Sequence, residues 1–306
     1  MAPWACGGEL AVPRRRGLTP AIALAALVAV FALSSPSRGA AAEPVTPVPA
    51  ASSSAAPSAA PNPIGPPLGN DDPCTSLAAI VGRPSVTNSV CTVRPNHAEI
   101  ETGYLNTSAS GGGNTVAFPQ ALIRIGTAIP ALELQIAPPG INRTNAGGVT
   151  TGTTDAGAGL KYVFGYTPKF SWGGQAFFTA PTGTNGFSAN GTNAAYALNA
   201  GYTLSPVFSL ATTLATNSLT NGPQRWSSFV PSLVLGVALA NATGLNAEIA
   251  QFGHANGPGT ATRTQYLFAV YRDVGARVQL DASFATSPTA ATGKYDAVGF
   301  GASFYF

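Results

Sequence analysis

From His97 to Phe306, large apolar residues alternate with small or polar ones. The alternating segments run to about 9–13 residues and have the two-residue period of a strand with unlike faces. Between Asp155 and Tyr166, one face holds Ala156, Ala158, Leu160, Tyr162, Phe164 and Tyr166, and the other Asp155, Gly157, Gly159, Lys161 and Val163. Between Ala276 and Thr286, Val278, Leu280, Ala282 and Phe284 oppose Arg277, Gln279, Asp281 and Ser283. The last segment gathers Val298, Phe300, Ala302, Phe304 and Phe306 on one face, against Tyr295, Gly299, Gly301, Ser303 and Tyr305.

Twelve such segments are predicted, over 97–106, 115–127, 131–137, 155–166, 169–180, 193–204, 206–216, 225–239, 243–252, 263–272, 276–286 and 294–306. Short connections, such as Thr167-Pro168 and Ala240–Ala242, alternate with longer ones rich in Gly, Asn, Thr and Pro, near 107–114, 138–154, 181–192, 217–224, 253–262 and 287–293. An even number of strands with short turns at one end and long loops at the other predicts an all-β fold: a transmembrane antiparallel up-and-down barrel of about 12 strands, with its termini on the periplasmic side. A soluble β-sandwich also alternates, but its outer face should be polar. Here the outward faces are apolar, and a membrane-spanning sheet has to close on itself to satisfy its backbone. Tyr104, Phe118, Tyr166, Phe170, Trp172, Tyr202, Trp226, Tyr266 and Tyr295 fall near strand ends, as in interfacial aromatic belts.

Composition adds an address. Only 9% of the 306 residues are charged, against about a quarter in an average soluble protein, which excludes the basic surface of a nucleic-acid binder. Arg14-Arg15-Arg16 precede an apolar stretch from Pro20 to Leu33, then small residues ending Ala40-Ala41-Ala42. This is the pattern of a secretory signal peptide over 1–42, too short in its apolar part for a spanning helix. Its removal takes four of 15 basic and one of 12 acidic residues, so the mature chain balances at 11 of each. The export signal and the barrel together place the protein in the outer membrane of a Gram-negative bacterium.

Residues 43–73 are a Pro/Ala/Ser-rich tract expected to be a disordered linker. Cys74 and Cys91 are an even pair in an exported chain and predict a disulfide. It would close a small N-terminal segment over 74–96, either a plug in the barrel mouth or a periplasmic stub. The barrel takes 97–306.

Several stretches resemble the outer-membrane barrel family named for the meta-pathway of phenol degradation, a family described as transporters. They are Phe118–Gly126 (FPQALIRIG), Leu132-Glu133-Leu134, Asp155–Tyr162 (DAGAGLKY), Pro181-Thr182-Gly183, Val278–Asp281 (VQLD) and Gly299–Phe306 (GFGASFYF). The resemblance covers about 97–306 and leaves 43–96 outside. It implies an outer-membrane barrel passing small molecules, aromatic or otherwise apolar. Phe304 and the terminal Phe306 are similar to the C-terminal signal read by the barrel-assembly machinery, which with outer-membrane lipid would be the chain's partners.

Candidate chemistry is sparse. The two histidines are His97, at the start of the first strand, and His254, in a long loop where an extracellular Ser-His or Asp-His hydrolytic centre could lie. A solvated loop histidine is the preferred reading of His254, and no enzyme is expected. No spacing fits a metal site, Gly111-Gly112-Gly113 lacks the context of a phosphate loop, and no cofactor is expected. The charges on inward faces say more: Glu99, Glu101, Arg124, Glu133, Asp155, Lys161, Glu248, Arg277 and Asp281. They either line an aqueous pore and set its ion preference or pair across a filled lumen, which their balance of signs favours. Phe177 and Phe252 are inward apolar candidates. A twelve-strand barrel is too wide for its own side chains to fill, so a path or a plug follows. The function read here is passive passage of small molecules. The alternative is a structural or surface-interaction barrel acting through its long extracellular loops.

Overall fold

The structure is a computed structural model that describes residues 69, 72–109, 113–254, 257–288 and 294–306. The signal peptide expected over 1–42 and nearly all of the linker lie outside the described residues. A short helix, α1 (Leu77–Ile80), precedes fifteen strands: β1 (Ala98–Ala109), β2 (Asn114–Phe118), β3 (Leu122–Gly126), β4 (Leu132–Ala137), β5 (Ile141–Asn145), β6 (Val149–Thr153), β7 (Ala156–Tyr166), β8 (Phe170–Ala180), β9 (Asn193–Thr203), β10 (Phe208–Asn221), β11 (Gln224–Ala238), β12 (Thr243–Phe252), β13 (Arg263–Val274), β14 (Val278–Ser287) and β15 (Tyr295–Tyr305).

All belong to one antiparallel sheet, and β15 pairs with β1 from Glu99↔Tyr305 to Ala109↔Tyr295, closing it into a barrel. The fifteen strands occupy twelve positions around the wall. β2 and β3 both pair with β1, and β4 and β5 pair with β3 and β2. β6 and β7 continue in the same way against β5 and β4. Three long strands are thus interrupted at one level, around Pro119-Gln120-Ala121, Pro138-Pro139-Gly140 and Thr154-Asp155. Proline has no N–H to give to a ladder, which accounts for the first two interruptions. Gln120 N–H still donates to Gly103 O at 2.9 Å, holding the wall across the first.

Three connections expected to be long are not. Residues 138–154 form the hairpin β5–β6, β1 and β2 extend to Ala109 and from Asn114, and β10 and β11 meet at a two-residue turn, Gly222-Pro223. Gly222 sits at φ +58°, where a residue with a Cβ is disfavoured. Past the membrane, strand extension needs no apolar face, so these hairpins carry polar residues on both sides and read as loops.

The outer surface is apolar: Leu160, Tyr162, Trp172, Phe178, Tyr196, Leu198, Phe229, Leu233, Phe268 and Phe300 are all exposed on it. The inner face holds the buried polar residues, among them Gln135, Lys161, Asn199, Thr213, Ser232, Glu248 and Asp281. Three belt aromatics prove to face inward. Tyr166, expected on the outer face with Leu160 and Phe164, is turned by a bulge between Val163 and Gly165 and pairs with the buried Ser171. Trp226 shares a face with the buried Ser228, and Tyr295 pairs with the buried Ser287 and lines a lumen cavity. Lys at an outward mid-strand position such as Leu198, 58% exposed, should cost about 2–4 kcal/mol in lipid. Denaturant unfolding in lipid vesicles checks this; a loss under about 1 kcal/mol would place that face out of the hydrocarbon.

Candidate functional site

The lumen is occupied by the chain's own N-terminal segment. Residues 72–97 enter the barrel, turn back and cross the end of β3, where Pro95 bridges Gly126. Gly126 is required there, because a Cβ would overlap the Arg94 carbonyl. Cys74 and Cys91 form a disulfide. It closes a loop of the kind that restrains a segment with little core of its own. Ser76 caps α1 by accepting from Ala79 N–H at 3.2 Å. Cys74, Leu77, Ile80, Val81, Cys91 and Val93 pack into a small apolar cluster against Tyr305 of the wall. Asp72 pairs with Arg94, which also donates to the Cys74 carbonyl.

The wall meets this knot with charge. Arg124, on β3, is 1% exposed. Its Nε and Nη2 donate to the two oxygens of Glu133 at 2.8 and 2.9 Å. Its Nη1 lies 2.7 Å from Glu99 and 3.0 Å from Glu101. The same guanidinium reaches the plug, donating to Ile80 O at 2.6 Å and Cys91 O at 2.9 Å. Lys161 Nζ donates to Cys91 O at 3.1 Å. The carboxylates answer the plug's backbone donors: Glu133 accepts from Val93 N–H (2.8 Å), Glu101 from Gly82 N–H (2.9 Å), and Glu248 from Val86 (2.9 Å) and Thr87 (2.5 Å). Asp281 pairs with Arg83 at 3.3 Å. Paired and hydrogen-bonded in this way, charges can stay buried.

Seven of the nine inward-facing charges singled out in the sequence therefore converge on the plug. Two do not. Arg277 lies outside the strands, exposed in the turn between β13 and β14; the alternation carries on past the strand end, but the wall does not. Asp155 stands at the interruption between β6 and β7 and serves the 181–192 loop, accepting from Gly183 and Ala189 N–H, each at 2.9 Å.

Burial pushes the Asp155 carboxyl up, but the N–H groups of Ala189 and Gly183 outweigh it and hold the group below its ordinary value of 3.8. A depressed carboxylate lends stability that is complete above its unfolded value and is lost as pH falls through its folded one. The loop should accordingly stay docked at neutral pH and release only below the ordinary carboxylate range. Asp155→Asn should free it at all pH values, read as protease cleavage within 181–192; cleavage equally slow in the variant would contradict the latch.

Two cavities flank the plug. One, of about 400 Å³, is lined by Leu105, Leu122, Leu267 and Ala285 with Gln120, Gln135 and Gln265. The other, of about 230 Å³, is lined by Ser171, Tyr202, Ser209, Asn246 and Tyr271. Gly82, Arg83, Ser85, Asn88 and Ser89 line both, so this stretch of plug is the partition between them. Phe177 lies over Gly157 and Gly159. Phe252 carries the Arg263 guanidinium 4.8 Å from its ring centroid, and the Tyr295 ring centroid lies 5.0 Å from the same cation. His254 bonds through Nδ1 to Thr260 O at 3.0 Å, and His97 to Pro95 O at 2.9 Å.

Sequence reasoning missed Arg83, Arg94 and Asp72, the charged members of the plug. Their segment shows no periodicity, and beside its ion pair each bonds to a backbone group: Arg83 to Phe300 O, Arg94 to Cys74 O, and Asp72 to Cys74 N–H.

No family model matches this chain, and no curated protein matches it. Among solved structures, an outer-membrane channel from Pseudomonas putida F1 superposes with a TM-score of 0.52 at 13% identity, over 70% of this chain and 97% of that one. The NanC porin gives 0.48 at 10% identity, over 68% and 98%. A monoaromatic hydrocarbon channel, CymD, gives 0.40 at 10% identity, over 68% and 87%. At these identities the likeness is one of fold. The first match, with the closed sheet and its apolar outer face, makes this chain a twelve-strand membrane barrel of the kind found in outer-membrane channels.

Proposed function

We propose that the protein is a passive outer-membrane channel for small molecules, held closed here by its own N-terminal segment. The observation that carries this is the pair of solute-sized cavities in one lumen, separated only by the Gly82–Ser89 stretch of plug. A filled structural barrel has no need of them. The lining of the larger cavity mixes aliphatic carbons and neutral amides with the mutually paired charges of Glu101, Arg124 and Lys161 and the guanidinium of Arg83, and suits a small, partly apolar solute that can hydrogen-bond. That chemistry agrees with the resemblance to the phenol meta-pathway barrels, and we place the chain with them. Export by a signal peptide cleaved after Ala42, and assembly through Phe304 and Phe306, complete the proposal. Phe304 and Phe306 are both exposed on the outside of the barrel's end, where such a signal is readable.

The surface-interaction alternative needs large extracellular loops, and in three of the six expected ones the paired strands run on into the span expected to be loop. Uptake decides between the readings. Cells carrying the protein should take up dilute radiolabelled phenol faster than cells lacking it. Equal rates would remove the proposed solute class.

A further inference from the structure

We infer that Gly82–Ser89 is the moving part of the plug, pinned shut by Arg83 in a slot made by two wall glycines. This rests on the channel reading above.

The plug has two unlike halves. The knot, 72–81 with 90–94, is tied by the disulfide, the buried apolar cluster and the Arg124 network. No residue of 82–89 belongs to that cluster. Thr87 is buried in the arm and the other seven are only half-buried. The arm is the tip of the 17-residue disulfide loop, so it can swing while the loop's base stays fixed. Its holds on the wall are polar: Gly82 N–H on Glu101, Val86 and Thr87 N–H on Glu248, the Thr87 hydroxyl on Ser232 at 2.8 Å, and Asn88 N–H on Thr213 at 2.9 Å. Each is a polar bond that water from the flanking cavities can replace, unlike the knot's apolar contacts.

Arg83 is the exception. Gly103 and Gly301 face each other across β1 and β15, and a methyl group at either would overlap the Arg83 guanidinium. The paired glycines leave a slot in the inner wall. There the guanidinium reaches Asp281 and, at 3.4 Å, the Phe300 carbonyl. An arginine seated between two missing side chains is positioned by shape as well as charge. Withdrawing it moves the partition that both cavities share.

The test uses the full mature chain with its disulfide intact, reconstituted in lipid. Single cysteines are placed at Ser85 in the arm and Ala79 in the knot, and their labelling by a membrane-impermeant maleimide is timed. Gly301→Ala fills the slot; Arg83→Gln removes the pin without touching the wall, should the first variant fold poorly. We expect either change to speed Ser85→Cys labelling about tenfold, to leave Ala79→Cys labelling unchanged, and to raise channel open time in step. Equal acceleration at both sites would mean the plug leaves as one body, and unchanged Ser85→Cys labelling would mean the slot holds nothing; either overturns the inference. So does faster labelling without added conductance in a protein whose plug-deleted form conducts. A plug-deleted form that does not conduct would instead remove the channel reading, while labelling still reports whether the slot holds the arm.

Discussion

Arg124→Met should be the most damaging single substitution in the barrel. Six hydrogen bonds converge on this guanidinium, four from wall carboxylates and two from plug carbonyls. Its five N–H donors are therefore fully used. Removing it leaves Glu99, Glu101 and Glu133 buried with only Lys161 near them, and breaking a buried pair in this way costs about 3–5 kcal/mol. Arg124→Lys keeps the charge but cannot bridge Glu133 bidentately, so it should fall between. The effect should not be additive. Changing Glu99, Glu101 and Glu133 to Gln in the Arg124→Met background should restore part of the loss, because no uncompensated carboxylate then remains. Unfolding in detergent, followed by the gel-mobility difference between unboiled and boiled samples, measures all three. Full stability in Arg124→Met would mean the cluster does not hold plug to wall.

Deleting residues 72–94 should turn a closed barrel into a steady, cation-preferring pore. The segment fills the lumen between the two cavities, and a twelve-strand barrel is too wide to refill with wall side chains alone. The buried wall charges left behind are Glu99, Glu101, Glu133, Glu248 and Asp281 against Arg124 and Lys161, a surplus of three negative charges. A ring of carboxylates favours cations, so the reversal potential in a salt gradient should lie toward the cation's equilibrium value. An anion-preferring pore would contradict the inward placement of the carboxylates. The wall itself should survive the deletion, since its ladder runs from β1 round to β15 without plug residues apart from the Pro95–Gly126 bridge.

The wall was legible in the sequence because lipid imposes a rule on every outward position. Leu160, Tyr162 and Phe164 had to alternate with Gly159, Lys161 and Val163. That pressure ends at the headgroups, which is why Ile141–Asn145 and Val149–Thr153 read as loop and the Asn221–Gln224 turn was drawn too long. Inward charges such as Arg124 and Glu248 could be picked out because a charge facing lipid is costly. Their partners could not: Gly82, Val86, Thr87 and Val93 meet carboxylates through backbone N–H groups that every non-proline residue carries. Arg277 shows the opposite error, a correct parity extended beyond the end of its strand.

The most direct test of a self-plugged channel is single-channel conductance in a planar bilayer, comparing the intact mature chain with the form lacking 72–94. The account predicts a mostly closed intact protein with brief openings and a steadily open deletion form. A deletion form as silent as a protein-free bilayer, or an intact protein as open as the deletion form, would contradict it.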